Sequence, residues 1–261
     1  MMTEVLEKEY FVDERSVVRQ IWGKGDTILF IFAGAAAEFA LSKAVDWLYF
    51  TGRIPTDPLG RLFSTVSYAR KIVFAEEESA MRAIDAMSAI HSGVEAKRGM
   101  SIPDWAYRDV LFMLIDYSIR AFELLERTLS EVEKHEVFHV FKRVGSRMGI
   151  AGLPETFQEW EIARYMHMQR NLKKSRYTAD LYKQYYTHLG LVRYKIVVEV
   201  QKLIVPAMVR ELLAFRKTSF LKPLIGLYKL SRKMKIDWFL KSLILPVKFK
   251  DEIRALDVEP S

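Results

Sequence analysis

The sequence predicts an all-α, single-domain bundle, and three observations predict it. Apolar residues recur at helical spacing along most of the chain, and no stretch alternates in the way a half-buried strand does. Proline, glycine and capping residues punctuate these stretches where helices start and stop. At 261 residues, half of them hydrophobic, the chain has ample material for one large core.

Asp13 to Trp22 reads as a short amphipathic helix, and Gly23-Lys24-Gly25 breaks it. That Gly-x-Gly is not a nucleotide loop: the further glycine, the Lys-Ser/Thr pair and a preceding strand are missing. Thr27 to Phe50 is long, mostly apolar and rich in alanine, which favours helix and close packing. Glu38 sits inside it. A carboxylate there is paired, at a pocket, or on the wet side of the helix.

Thr51 to Thr56 reads as a loop, and Asp57-Pro58 as an N-cap followed by proline at the first helical position. The helix that follows carries Arg61, Thr65 and Tyr68 on one face, which is either a polar surface stripe or part of a site. Glu76-Glu77-Glu78 opens the next helix, where acids suit the positive helix end. On it Ile84, Met87, His91 and Val94 share a face, so His91 is expected to point inward. A buried imidazole needs a partner: a backbone carbonyl, a carboxylate or a metal. Gly93 and Gly99 place a fray or bend near the end of this helix.

Pro103 starts a helix through Arg127, with Val110, Leu111, Leu114, Ile115, Ser118 and Phe122 as a broad apolar face. Ser130 caps another, ending at Gly149. Pro154 to Arg170 follows, then the basic loop Lys173 to Arg176, then a helix through His188. Arg193 to Phe215 is helical, with a kink at Pro206.

Charge is uneven. The chain carries +7 overall, but Arg210 to Lys250 holds eleven Lys or Arg against Glu211 and Asp237. Leu221, Leu224, Ile225 and Tyr228 fall on one helical face of this basic stretch, and Trp238 and Phe239 open a second apolar stripe. Basic amphipathic helices with aromatics lie at anionic membrane surfaces, so residues 217–250 are a candidate membrane contact. Packing on the core is the plainer reading. No nucleic-acid motif accompanies the charge, and no nucleic-acid partner is expected.

Cysteine is absent, which excludes disulfides, thiolate nucleophiles, cysteine zinc sites and a thiolate haem ligand. It fits a reducing compartment. The charged start has no apolar signal region, and the longest apolar run, Ile28 to Ala37, is too short to span a bilayer. A cytoplasmic protein, peripheral to the inner face of the membrane, is the expectation.

One rival motif is present. His135-Glu136-Val137-Phe138-His139 matches the H-E-x-x-H helix of zinc peptidases. Both histidines, however, fall nearly opposite the apolar face formed by Val137, Phe141, Val144 and Met148. Glu133 is an unsuitable upstream neighbour, and no third histidine follows nearby. Two solvated histidines is the favoured reading; Glu159 or Glu161 would have to complete a metal set. His167 and His188 show no partner in sequence, and no nucleophile elbow or carboxylate pair is visible.

The order of several short blocks carries more information than any one of them. Arg61-Leu62-Phe63-Ser64-Thr65, Ile90-His91-Ser92-Gly93-Val94, Ile102-Pro103-Asp104-Trp105-Ala106-Tyr107 and Gly149-Ile150-Ala151-Gly152-Leu153-Pro154 resemble blocks of the oxygenase family of latex-clearing protein and MpaB. The resemblance covers roughly residues 15 to 215. It implies a globin-like helical catalytic domain over 1–215 and leaves 216–261 as a basic amphipathic extension. It implies haem b held through one histidine, here His91 as the axial iron ligand, with Arg61 and Thr65 near the distal pocket. Cleavage of isoprenoid double bonds with dioxygen is the implied reaction. This chain departs at Ser64, where rubber oxygenases carry lysine, and at Glu95, where they carry arginine. Arg98 is the substitute candidate for meeting a haem propionate. The expected function is therefore a haem-dependent oxygenase acting on an apolar, isoprenoid or lipid-like substrate. A non-catalytic haem or lipid binder of the same family is the alternative, and the zinc peptidase comes third.

Overall fold

A computed structural model describes residues 9–50 and 58–233; the side chains of residues 48, 58–64 and 231–233 also lie outside the description. The helices are α1 (Val17–Trp22), α2 (Gly25–Phe39), α3 (Val45–Phe50), α4 (Pro58–Val73), α5 (Glu77–Arg98) and α6 (Asp104–Leu125). They continue as α7 (Glu131–Arg147), α8 (Phe157–Asn171), α9 (Arg176–Ile204), α10 (Ala207–Leu212) and α11 (Leu224–Lys233). Among the described residues there is no sheet, only the isolated bridges Tyr10–Glu76 and Ser42–Leu172. The architecture is all-α, in one domain.

α6 is the central helix, packed on α2, α7, α8 and α9. Leu111, Ile115, Ser118 and Phe122 are buried as the apolar face predicts, but Val110 is 40 % exposed. Burial continues on the other side through Asp109, Phe112, Met113, Asp116 and Tyr117. A helix enclosed from several directions has no single inner stripe.

α2 and α6 approach closely at Gly34. A Cβ at Gly34 would stand 2.4 Å from the Tyr117 ring, so only glycine lets the ring lie across α2. The core around this contact is aromatic. Trp22 meets Phe32 edge-on at 6.1 Å and Phe141 at 5.9 Å.

Thr27 to Phe50 is not one helix. The chain leaves helical geometry after Phe39 because the end of α8 crosses it. Lys43 N–H donates to the Asn171 carbonyl at 2.9 Å, and Lys173 N–H to the Leu41 carbonyl at 2.7 Å. Gly190, at φ 71° and ψ 168°, breaks α9 between the two helices expected around it. α5 runs through Gly93 without a break and ends at Gly99, which is left-handed at φ 68°. The loop at Thr51–Thr56 and the cap at Asp57 lie outside the described residues.

Capping chemistry fixes the helix starts that local sequence marks. Ser130 accepts from Glu133 N–H at 3.3 Å while Glu133 accepts from Ser130 N–H at 2.9 Å. Thr156 and Glu159 form the same reciprocal cap at α8.

Candidate functional site

α5 buries side chains in its first half. Ala80 and Ile84 are buried, whereas Ile90, Ser92 and Gly93 are exposed. Two bidentate pairs set its register on α7: Arg143 to Glu77 at 2.8 Å, and Arg147 to Asp85 at 2.6–2.7 Å. These pairs are solvent-facing and contribute geometry more than stability. Beyond Ile84 the inner stripe continues through Met87, His91 and Val94, all partly buried. His91 therefore sits on the inward face that its spacing predicts, in the second half of the helix.

Its neighbour there is Tyr107, from the first turns of α6. The two rings meet edge-on, 5.3 Å between centroids and 87° between planes. Glu95, one turn after His91, accepts from the Tyr107 hydroxyl at 3.2 Å and from Ile102 N–H at 2.7 Å. Burial, and then the adjacent Glu95 charge, hold the Tyr107 phenol above its ordinary range. Glu95 is thus a tether between the helix carrying His91 and the Ile102–Tyr107 block.

Arg98 lies two turns past His91. Its Nη2 donates to Asp46 of α3 at 2.6 Å, and its guanidinium lies 3.9 Å over the Trp47 ring. Nη1 is buried and has no hydrogen-bond partner among the described residues. A partly buried guanidinium with an unused buried donor suits an anionic group. α3 is in turn fixed to α9, where the Tyr49 hydroxyl donates to Asp180 at 2.7 Å.

Of the expected distal pair, Arg61 is on the first turns of α4 and its side chain lies outside the described residues. Thr65 follows on the same helix and is exposed. α4 packs along α5, so the Thr65 and His91 helices are neighbours. The Gly149–Pro154 block turns the chain from α7 to α8. Gly149 and Gly152 are left-handed, and Arg108 donates to the Ala151 carbonyl. The later sequence blocks are therefore joined in space: His91 and Glu95 to the Ile102–Tyr107 block, and Arg108 beside it to the Gly149–Pro154 block.

The H-E-x-x-H histidines stay apart from this region. His135 lies against Phe157 at 5.1 Å and within 3.2 Å of Gln158 Nε2, while His139 is exposed. Among the described residues no three of His, Cys, Asp or Glu converge to hold a metal. His167, which shows no partner in sequence, pairs with Asp109, and Asn171 donates to the same carboxylate at 2.9 Å.

A second polar cluster escaped the sequence reading. Glu38 is 2 % exposed and receives Arg164 from α8 through both oxygens, at 2.5 and 2.6 Å. Arg164 also reaches Asp116 at 3.1 Å, and the Tyr117 hydroxyl donates to Glu38 at 2.9 Å. The signal was Glu38 among alanines; its partner lies too far along the chain to be paired by spacing. Every member is satisfied, so the cluster reads as a lock between α2, α6 and α8.

The basic C-terminal stretch is placed through Lys233. Tyr228 of α11 donates to Asp26 at 3.0 Å and Lys229 to the Glu126 carbonyl at 3.3 Å. Of the expected apolar face, Leu221, Ile225 and Tyr228 are partly buried together, whereas Leu224 is exposed, as are Leu227 and Leu230 beside it. Trp238 and Phe239 lie outside the described residues. No described helix is long and apolar enough to cross a membrane.

Fold and site define the class: an all-α domain with an inward histidine on a helix tied to its neighbours through Glu95 and Arg98. The chain belongs to the family described as ER-bound oxygenase mpaB/B'/Rubber oxygenase, catalytic domain, whose model matches residues 20–241. The match runs past residue 215 into the basic stretch. No curated protein and no solved structure matches the chain.

Proposed function

We propose that this member of the oxygenase family is haem-b-dependent and acts with dioxygen on an apolar, isoprenoid or lipid-like substrate. The observation that carries the reading is His91, partly buried on the apolar stripe of α5 and braced edge-on by Tyr107. The donor set suits the group. His91 would hold the iron, and the unused Nη1 of Arg98 would meet a propionate. Haem, when bound, supplies the dioxygen chemistry that side chains lack.

The protein's own part is binding, orientation and polarity. Tyr107 limits rotation of the imidazole, and Glu95 fixes Tyr107 through its hydroxyl. Arg61 and Thr65 of α4 are the proposed polar groups toward dioxygen. The apolar residues of the α5 stripe favour a substrate without charge.

A binder without catalysis is the second reading, and Glu95 favours it. At the position where rubber oxygenases carry arginine, this chain has an acid occupied by Ile102 N–H and Tyr107. Oxygen uptake by the haem-loaded protein with a polyprenyl substrate separates the two. Uptake with cleaved product supports the oxygenase; substrate binding without uptake supports the binder.

A further inference from the structure

The break at Gly190, the hollow that follows it and the segment leading into α11 each carry exposed apolar residues. Tyr186 and Tyr194 meet edge-on at 5.5 Å across that break. In an uninterrupted helix, residues eight apart are separated by about 12 Å along the axis. The contact therefore requires the chain to turn sharply, which leaves Leu191 and Val192 at the elbow, 52 % and 69 % exposed. Tyr194 next lines a hollow of about 360 Å³ with Lys195, Val198, Lys202 and Phe220. Glu199, buried beside it, accepts from Phe220 N–H at 3.1 Å and fixes the far wall. Phe220 is itself exposed, and Leu224 and Leu227 follow it in α11, the latter 63 % exposed.

The charge on this stretch is one-sided. Residues 190–233 hold ten Lys or Arg and only Glu199 and Glu211 as acids. Glu199 is already used by Lys202 and Phe220. Lys195, at the rim of the hollow, is exposed and has no ion pair among the described residues. Exposed apolar side chains with Lys195 and Lys222 exposed among them suit an anionic lipid surface.

We propose that this face, from Leu191–Val192 through Phe220 to Leu227, docks on an anionic bilayer, with the hollow beside Lys195 receiving a lipid phosphate. The elbow and the α11 ridge enter the headgroup boundary, and the flanking lysines meet the phosphates. This docking does not depend on haem. Its failure would leave the oxygenase reading untouched.

The test is sedimentation of the full chain with vesicles of phosphatidylcholine alone or mixed with phosphatidylserine. Binding to the anionic vesicles only, weakening as salt rises, is expected. Lys195→Glu should weaken it severalfold, and Leu224→Asp with Leu227→Asp more than about tenfold. The helical circular dichroism of both variants should match the parent. Protein that stays in the supernatant, or leucine variants that bind as the parent does, would overturn the proposal. So would leucine variants that change only the oligomeric state in size-exclusion chromatography, which would assign the face to a second copy.

Discussion

Arg164 grips Glu38 through two parallel hydrogen bonds, and both side chains are almost wholly removed from solvent. Burial alone would lower the guanidinium's proton affinity, but Glu38 and Asp116 raise it above its ordinary range. Removing the arginine would leave the buried Glu38 carboxylate with only the Tyr117 hydroxyl, while Asp116 keeps its pair with Arg120. Arg164→Met should destabilise the fold by about 3–5 kcal/mol in denaturant titration. The double variant Glu38→Gln, Arg164→Met should lose less than Arg164→Met alone. A single-variant loss below about 1 kcal/mol would show that the cluster does not lock the helices.

Gly34 tests the same junction by packing. An added methyl meets the fully buried Tyr117 ring. Gly34→Ala should therefore destabilise by about 1–3 kcal/mol, although alanine is the better helix former. Tyr117→Phe removes only the hydrogen bond to Glu38 and should cost about 1 kcal/mol. A Gly34→Ala variant as stable as the parent would contradict the close approach.

These two junctions mark where sequence reading succeeds and where it stops. Starts written in neighbouring residues were legible: Ser130, Pro103, and the acids opening α5. The inward His91 was legible because three apolar residues share its face within ten positions. The break after Phe39 was not, since Asn171 and Lys173 impose it from a distant element. Glu38 was visible as an anomaly, yet Arg164 lies 126 residues away, and spacing says nothing over that distance. Val110 was misassigned because a helix packed on several sides was read as one with a single inner stripe.

The α7 cap supplies a pH prediction. Hydrogen bonding to Arg127, then to the Ser130 backbone, pulls the Glu133 carboxyl down to about 2. A depressed carboxylate stabilises the fold fully above its unfolded value and loses that contribution as pH falls through the folded one. The stability gap between the parent and Glu133→Gln should be present at neutral pH. It should shrink as pH drops from the ordinary carboxylate value of 4.5 toward about 2. Thermal melts across that window check it; a gap independent of pH would contradict it.

Thr65 tests the distal assignment. If its hydroxyl faces dioxygen, Thr65→Val should slow turnover while haem content, read from the pyridine haemochrome, stays level. Unchanged turnover would remove Thr65 from the site.

The central claim is that His91 is the iron ligand, and one visible absorption spectrum addresses it. After haem reconstitution the parent chain should show a Soret band. His91→Ala should lose or strongly shift it, and His139→Ala, altered at an exposed position, should keep it unchanged. A Soret band that survives intact in His91→Ala, or one absent from the reconstituted parent, would contradict the account.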